Sequence, residues 1–222
     1  MSFPVNQRDV KTRSYRSERR RAQAEQTRRD IVEAAHRLFV EEGYAGTTMA
    51  KIAQEAGVAV ETIYRGFDGK AGLLNAVVES AVAGGVGRAK RPVEERPAIK
   101  AVIDEPDPWQ KLELYAATQP GIHGRAGPLM RMLRQAAAVE PDLAPVLDHL
   151  ETQRLEGLTR LAQHLEDEGA LRDDVSVEKA RDILWTVGSL AVYDLMVLER
   201  GWPADRYQDW ITTVMRSTLL PD

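Results

Sequence analysis

The sequence predicts an all-α protein: a small N-terminal head of three helices, joined by a fourth helix to a larger helical body. Three observations point there. Aromatic residues are only 6% of the chain, and alanine, leucine, glutamate and arginine are common, a composition that favours helices over sheets. Apolar residues recur at three- and four-residue spacings, with no strand-like alternation of useful length. Glycines and prolines fall between the periodic stretches. With 43% apolar residues in 222, the chain can bury a substantial core in one large domain or two small ones.

The elements follow in order. Residues 1–17 read as a disordered basic arm. A first helix covers about 18–42, with Ile31, Ala34, Ala35, Leu38 and Phe39 on one face and Gly43 as its stop. Thr47 and Thr48 can cap a short second helix from Met49 to Ala56, and Gly57 makes the turn. A third short helix runs from about Val60 to Tyr64, and a fourth starts near Lys70 with Leu73, Leu74, Val77 and Val78 on one face. Lys90 to Pro108 is rich in proline and charge and reads as a connector, with a short helix around Ala98–Ile103. Helices follow at 109–118 and 129–139, with a break at Pro120-Gly121 between them. A long helix then runs from Pro141 to about Glu168, and two last helices cover about 177–200 and 203–219.

Charge is distributed unevenly. The chain carries a net charge of −4, yet residues 1–29 hold nine basic and three acidic groups, a net of +6. Residues 1–70 hold 13 basic and 10 acidic groups, so the remainder is strongly acidic. A basic head on an acidic body suits a polyanionic partner, and a solvated tail without a partner fits the same charges. Cysteine is absent, which excludes disulfides and thiolate metal sites. No run of about 18 apolar residues and no signal-peptide core is present, so a soluble cytoplasmic protein is expected.

Two short helices joined by a tight turn, behind a longer supporting helix, form a DNA-reading arrangement: the second enters the major groove and the first crosses the backbone. Thr47, Thr48, Ala53, Ala56 and Gly57 supply the polar caps, small crossing residues and turn glycine that it needs. The run Leu38-Phe39, Gly43-Tyr44, Thr47-Thr48, Ile52-Ala53, Ala56-Gly57-Val58, Thr62-Ile63-Tyr64, Phe67, Lys70 and Leu73 resembles the TetR family of bacterial transcriptional regulators. The match covers about residues 28–78.

That resemblance implies roles. Thr48 caps the second helix and touches phosphate, and Thr47 is either a contact or a buried cap. Val60, Glu61 and Thr62 face the major groove. Tyr64 meets phosphate or a thymine methyl, and Lys70 grips the backbone. Two departures stand out. Gly66 occupies a place where the family often has a histidine or another large residue, and Val60 and Glu61 cannot make the bidentate pairs to guanine or adenine. Arg65 is a candidate substitute. So is the arginine arm, with Arg13, Arg16, Arg19, Arg20 and Arg21 reaching into a minor groove.

The resemblance also implies a helical effector-binding body over 69–222, behind a DNA-binding domain at 18–68, and a homodimer through the last two helices, about 177–219. Ile183, Leu184, Val187, Leu190, Leu195, Leu198, Trp210, Ile211, Val214, Met215 and Leu219 are the apolar residues available there, and an intramolecular core would use the same ones. Candidate ligand-lining residues are Trp109, Tyr115, His123, Met130, Leu133, Trp185 and Tyr193, each of which also fits plain core packing. No catalytic constellation, phosphate loop or paired metal spacing is present, so no enzyme activity, cofactor or metal is expected. The function expected is a repressor released from palindromic operator DNA by a small molecule. The alternative is a DNA-binding regulator or architectural protein without an effector.

Overall fold

The computed structural model describes the backbone of residues 7–221 and the side chains from residue 18 onward; among these residues there are helices and no strand. The chain divides into two compact units, Met1–Val77 and Val78–Asp222.

In the first unit, α1 (Gln7–Gly46) is followed by α2 (Met49–Ala56), α3 (Val60–Gly66) and the start of α4 (Gly69–Ala83). The first helix begins at Gln7, well inside the stretch expected to be disordered. From Glu18 onward the helix is rich in arginine, glutamine, glutamate and alanine, which lose little side-chain freedom in a helix, and Arg21 pairs with Glu25 one turn away. The stop at Gly43 is present as a left-handed kink (φ 71°), after which a last turn carries the chain to Gly46. Ile31, Val32, Ala34, Ala35, Leu38 and Phe39 are buried on one side of α1, and Ile52, Ala53, Ile63, Phe67, Leu73 and Leu74 complete the core of the unit.

In the second unit, the end of α4 leads through Gly84 and Gly85, both at positive φ, into α5 (Val86–Ala89). Then come α6 (Pro97–Asp104), α7 (Pro108–Ala137), α8 (Ala144–Asp167), α9 (Val177–Val187), α10 (Leu190–Tyr193) and α11 (Ala204–Leu219). A π-helical segment, Asp194–Glu199, continues α10. Arg125 of α7 donates to the Ala81 carbonyl in the last turn of α4 at 2.9 Å. No helix among the described residues is long and apolar enough to cross a membrane.

Two expectations are corrected here. The break at Pro120-Gly121 does not occur, because α7 runs unbroken through Pro120 and Pro128. A proline inside a helix costs about 3 kcal/mol. The inward row of α7 includes Leu112, Tyr115, Ala116, Ala126, Leu129 and Leu133, all buried, and each large apolar side chain returns about 1.5–3 kcal/mol. Packing therefore outweighs the proline penalty. Thr118 Oγ1 (2.7 Å) and Gln119 Nε2 (3.4 Å) donate to the Tyr115 carbonyl just ahead of Pro120. Conversely, the single helix expected over 177–200 breaks at Gly188. Ser189 restarts it, its hydroxyl accepting from the Val192 amide at 3.2 Å.

The body buries one lysine. Lys111 has no exposed side-chain surface and donates to Glu168 Oε1 at 2.7 Å, while Glu168 keeps 31% of its side chain exposed. Glu168→Gln leaves a buried ammonium without a counter-charge, and partial solvation of the site limits the damage to about 2 kcal/mol. Lys111→Met in that background should recover most of the loss. Urea unfolding of the two variants and the pair measures it; equal stability of wild type and Glu168→Gln would show the pair to be idle.

Candidate nucleic-acid interface and effector site

The helix-turn-helix is built from short-range contacts. Thr48 is the N-cap of α2 and its hydroxyl accepts from the Lys51 amide at 3.2 Å. Gly57 closes α2 in the left-handed conformation (φ 65°), and the Val58 amide reaches back to the Ala53 carbonyl at 3.0 Å. A β-carbon would be strained at this backbone angle, so Gly57→Ala should lower the stability of the head by about 1–2 kcal/mol, read as a drop in its urea midpoint.

The predicted contact residues separate into a surface set and a support set. Thr48, Glu61, Tyr64 and Arg65 are exposed, and Val60, Thr62 and Lys70 are half-buried. Tyr64 shows 58% of its surface. Ile63, between Thr62 and Tyr64, is fully buried, which turns its neighbours outward. Thr47 belongs to the support: it is fully buried and its hydroxyl donates to the Gly43 carbonyl at 2.8 Å. It fixes the α1–α2 corner and offers no side chain to a partner. Arg19, Arg20 and Arg21 are exposed along α1, while the side chains of Arg13 and Arg16 lie outside the described residues.

Two supports were not foreseen. Arg28 donates to the Gly66 carbonyl at 2.9 Å and its guanidinium sits 4.2 Å from the Phe67 ring centre, so α1 holds the C-terminal end of α3. The Lys70 ammonium lies 4.0 Å over the ring of Tyr44, whose ring stacks on Phe39 at 5.9 Å. Arg28 was visible only as one of nine basic residues among the first 29. Nothing in its spacing distinguished a clamp from a DNA contact.

In the body, the structure brings together three of the seven predicted ligand residues. His123 lies 5.1 Å from Tyr193 by ring centres, and Tyr115, like both of them, is buried. Leu133 is buried and Met130 is partly buried, packed on the core. Trp109 stands apart: it is 41% exposed and its carbonyl accepts two hydrogen bonds from Arg216 (2.9 and 2.6 Å). Trp185 is partly buried beneath the Arg154 guanidinium, which is 4.1 Å from its ring centre.

Two members were missed. Tyr207 is fully buried between the rings of Tyr193 (5.2 Å) and His123 (6.4 Å). Arg154 donates to the Trp185 carbonyl at 2.7 Å and forms no ion pair among the described residues. A signal existed for Arg154. It occupies the four-residue row of α8 that continues through Leu158, Ala162 and Leu165, all buried, so a charge interrupts an apolar stripe.

The cluster surrounds the break at Gly188. His123 Nε2 lies 3.2 Å from the Gly188 carbonyl, a contact in which the nitrogen carries the hydrogen and donates. Burial lowers the pKa of His123 to about 4 against the opposing pull of the Gly188 bond, and the charges of Arg154 and Arg134 lower it further. Burial pushes the Tyr115 hydroxyl up to about 12 and raises that of Tyr207, with Arg154 opposing both. Arg154 is itself lowered by desolvation.

The last two helices turn much of their apolar surface inward. Leu184, Leu190, Ile211, Met215 and Leu219 are core residues of the body, which removes them from the expected dimer face. Ile183, Val187, Trp210 and Val214 are half-buried, and Leu195 (50%) and Leu198 (55%) stay exposed on the π-helical segment.

A capped two-helix reading unit on a buried three-helix core defines a helix-turn-helix DNA-binding regulator. A profile described as "Bacterial regulatory proteins, tetR family" matches residues 31–77. The chain is 30% identical over 180 residues to the HTH-type transcriptional repressor BepR of Brucella suis, covering 75% of this chain and 78% of the relative. It is 45% identical over 62 residues to the HTH-type transcriptional regulator TtgR of Pseudomonas putida, covering 28% and 30% of the two chains. The fold is shared with the transcriptional regulator FadR of Bacillus subtilis in complex with stearoyl-CoA (TM-score 0.64, 18% identity, 84% of this chain and 96% of that one). It is also shared with a regulator from Saccharomonospora viridis in complex with choline (TM-score 0.65, 17% identity, 88% and 98%). The chain belongs to the TetR family and is a transcriptional regulator, not an enzyme.

Proposed function

We propose that the protein is a dimeric repressor that leaves its operator when a small molecule binds the body. The DNA-binding domain is read as residues 18–68 and the effector and dimerisation domain as 69–222. The observation that carries the reading is the polar cluster of buried Tyr115, His123 and Tyr207, with half-buried Arg154 beside it, in an apolar helical body. A body made only for rigidity would fill that space with aliphatic side chains, because each buried polar group costs free energy unless satisfied. The complexes of the FadR and Saccharomonospora viridis regulators, with stearoyl-CoA and choline, support a ligand-taking body in this fold.

On DNA, the N-terminal end of α3 presents Val60, Glu61 and Thr62 to the major groove. Thr48, Tyr64, Arg65 and Lys70 serve the flanking phosphates, and Arg19, Arg20 and Arg21 add charge along α1. The partner protomer packs against the face bearing Ile183, Val187, Leu195, Leu198, Trp210 and Val214. Lys70→Ala should weaken operator binding by roughly the same factor for every sequence tested and reduce the salt slope by about 1, as measured by fluorescence anisotropy across a salt series. The effector reading is tested by thermal-shift screening, followed by anisotropy on labelled operator. A compound that raises the melting temperature and lowers DNA affinity supports it. Hits that stabilise the protein and leave DNA affinity unchanged favour a regulator without an effector.

A further inference from the structure

Tyr207 carries a hydroxyl that is completely buried and has no hydrogen-bond partner. An orphaned buried hydroxyl costs free energy, and it lies near Arg154, a desolvated guanidinium that forms no ion pair among the described residues: Glu151 acts on it electrostatically but is paired with Arg134 at 2.6 Å. The guanidinium has five N–H groups in a fork suited to a carboxylate; besides stacking on the Trp185 ring, it makes a hydrogen bond to the Trp185 carbonyl. The two groups and the Tyr115 hydroxyl are close enough to act on each other electrostatically. At the same corner Gly188 leaves the backbone bare: a β-carbon there would lie 3.3 Å from the Tyr115 hydroxyl. His123, held neutral by burial, adds no second positive charge.

From this geometry we infer that the effector is a small organic anion, a monocarboxylate on an apolar body, whose carboxylate is bound by Arg154 and the hydroxyl of Tyr207. The carboxylate supplies the acceptor that the Tyr207 hydroxyl lacks and the direct ion-pair partner that Arg154 lacks. The apolar body lies in the core around Tyr115 and Trp185. The inference rests on the proposal that the body takes an effector, and adds its chemical class.

Octanoate and its neutral counterpart octanamide are the probes, with the full-length protein and isothermal titration at neutral pH. Trp185 fluorescence gives a second readout, identified by its loss in Trp185→Phe. Octanoate should bind at least roughly tenfold tighter than octanamide, as expected for a charge-assisted pair. Arg154→Met should lower octanoate affinity by roughly ten- to a hundred-fold and leave octanamide affinity unchanged. Tyr207→Phe keeps the ring and removes only the hydroxyl. It should weaken octanoate binding several-fold while the free protein melts at the same or a higher temperature, so a lost fold cannot explain the result. Equal binding of the two probes, no binding of octanoate, or unchanged octanoate affinity in Tyr207→Phe would overturn the inference. The two proposals fail separately. Octanoate that binds through Arg154 without releasing operator defeats the effector response and keeps the anion site. A neutral compound that releases operator equally from wild type and Arg154→Met defeats the anion site and keeps the effector response.

Discussion

Phe39→Ala should cost the N-terminal head about 3–5 kcal/mol and abolish operator binding. The ring is fully buried on α1, where it stacks against Tyr44 and sits among the core residues that fix α2 and α3. Tyr44 in turn carries the ammonium of Lys70 on its other contact. The truncation therefore removes packing and also the platform under a predicted phosphate contact. Loss is expected to be confined to the head, because the body has its own core around Leu112, Leu184, Tyr207 and Ile211. Circular dichroism should show a lower-melting phase belonging to part of the helix content, with anisotropy reporting no binding at concentrations that saturate the wild type. A variant that binds operator normally would show that the ring is not a support of the reading unit.

The second large effect is acid sensitivity through His123. Its pKa is lowered to about 4 in the folded protein, while an unfolded histidine titrates near 6.5. A group depressed in this way contributes its stability in full above the unfolded value. As pH falls from about 6.5 to about 4 the unfolded chain takes up a proton that the folded chain refuses, and about 3 kcal/mol is lost across that window. His123→Asn does not titrate. Its urea midpoint should therefore decline less between about pH 7.5 and about pH 4.5 than that of the wild type. Carboxylates titrating in the same range affect both proteins alike, so the difference between the two slopes isolates His123. Parallel slopes would mean that the imidazole is solvated or can protonate in place.

The head was far more legible in the sequence than the body, and the reason is the range of the interactions. Thr48 and Gly57 act on residues within four positions, so their roles in capping α2 could be read from spacing alone. The same holds for the left-handed stop at Gly43. Arg28 escaped because its partner, the Gly66 carbonyl, is 38 residues away. In the body, Pro120 looked like a helix breaker because the local penalty is visible and the burial that overrides it is not. The break at Gly188 went unseen for the opposite reason: its neighbours have good helical periodicity, and the interruption is secured by His123, 65 residues earlier. Of the predicted ligand residues, Tyr115, His123 and Tyr193 were recognisable as aromatics on apolar stripes. Tyr207 looked no different from core until the structure showed its hydroxyl without a partner.

The two adjacent glycines that end α4 bear on how this protein can evolve. Gly84 (φ 75°) and Gly85 (φ 138°) hold backbone angles that side-chain-bearing residues rarely adopt, and a β-carbon on Gly84 would also meet the Arg88 guanidinium at 2.9 Å. Any change in the first or second base of a glycine codon introduces a side chain or a stop. Most random mutations at these two codons are therefore filtered out, while the exposed stretch from Arg91 to Glu95 can drift freely. Variation among descendants of this gene should be scarce at the junction and plentiful a few residues beyond it.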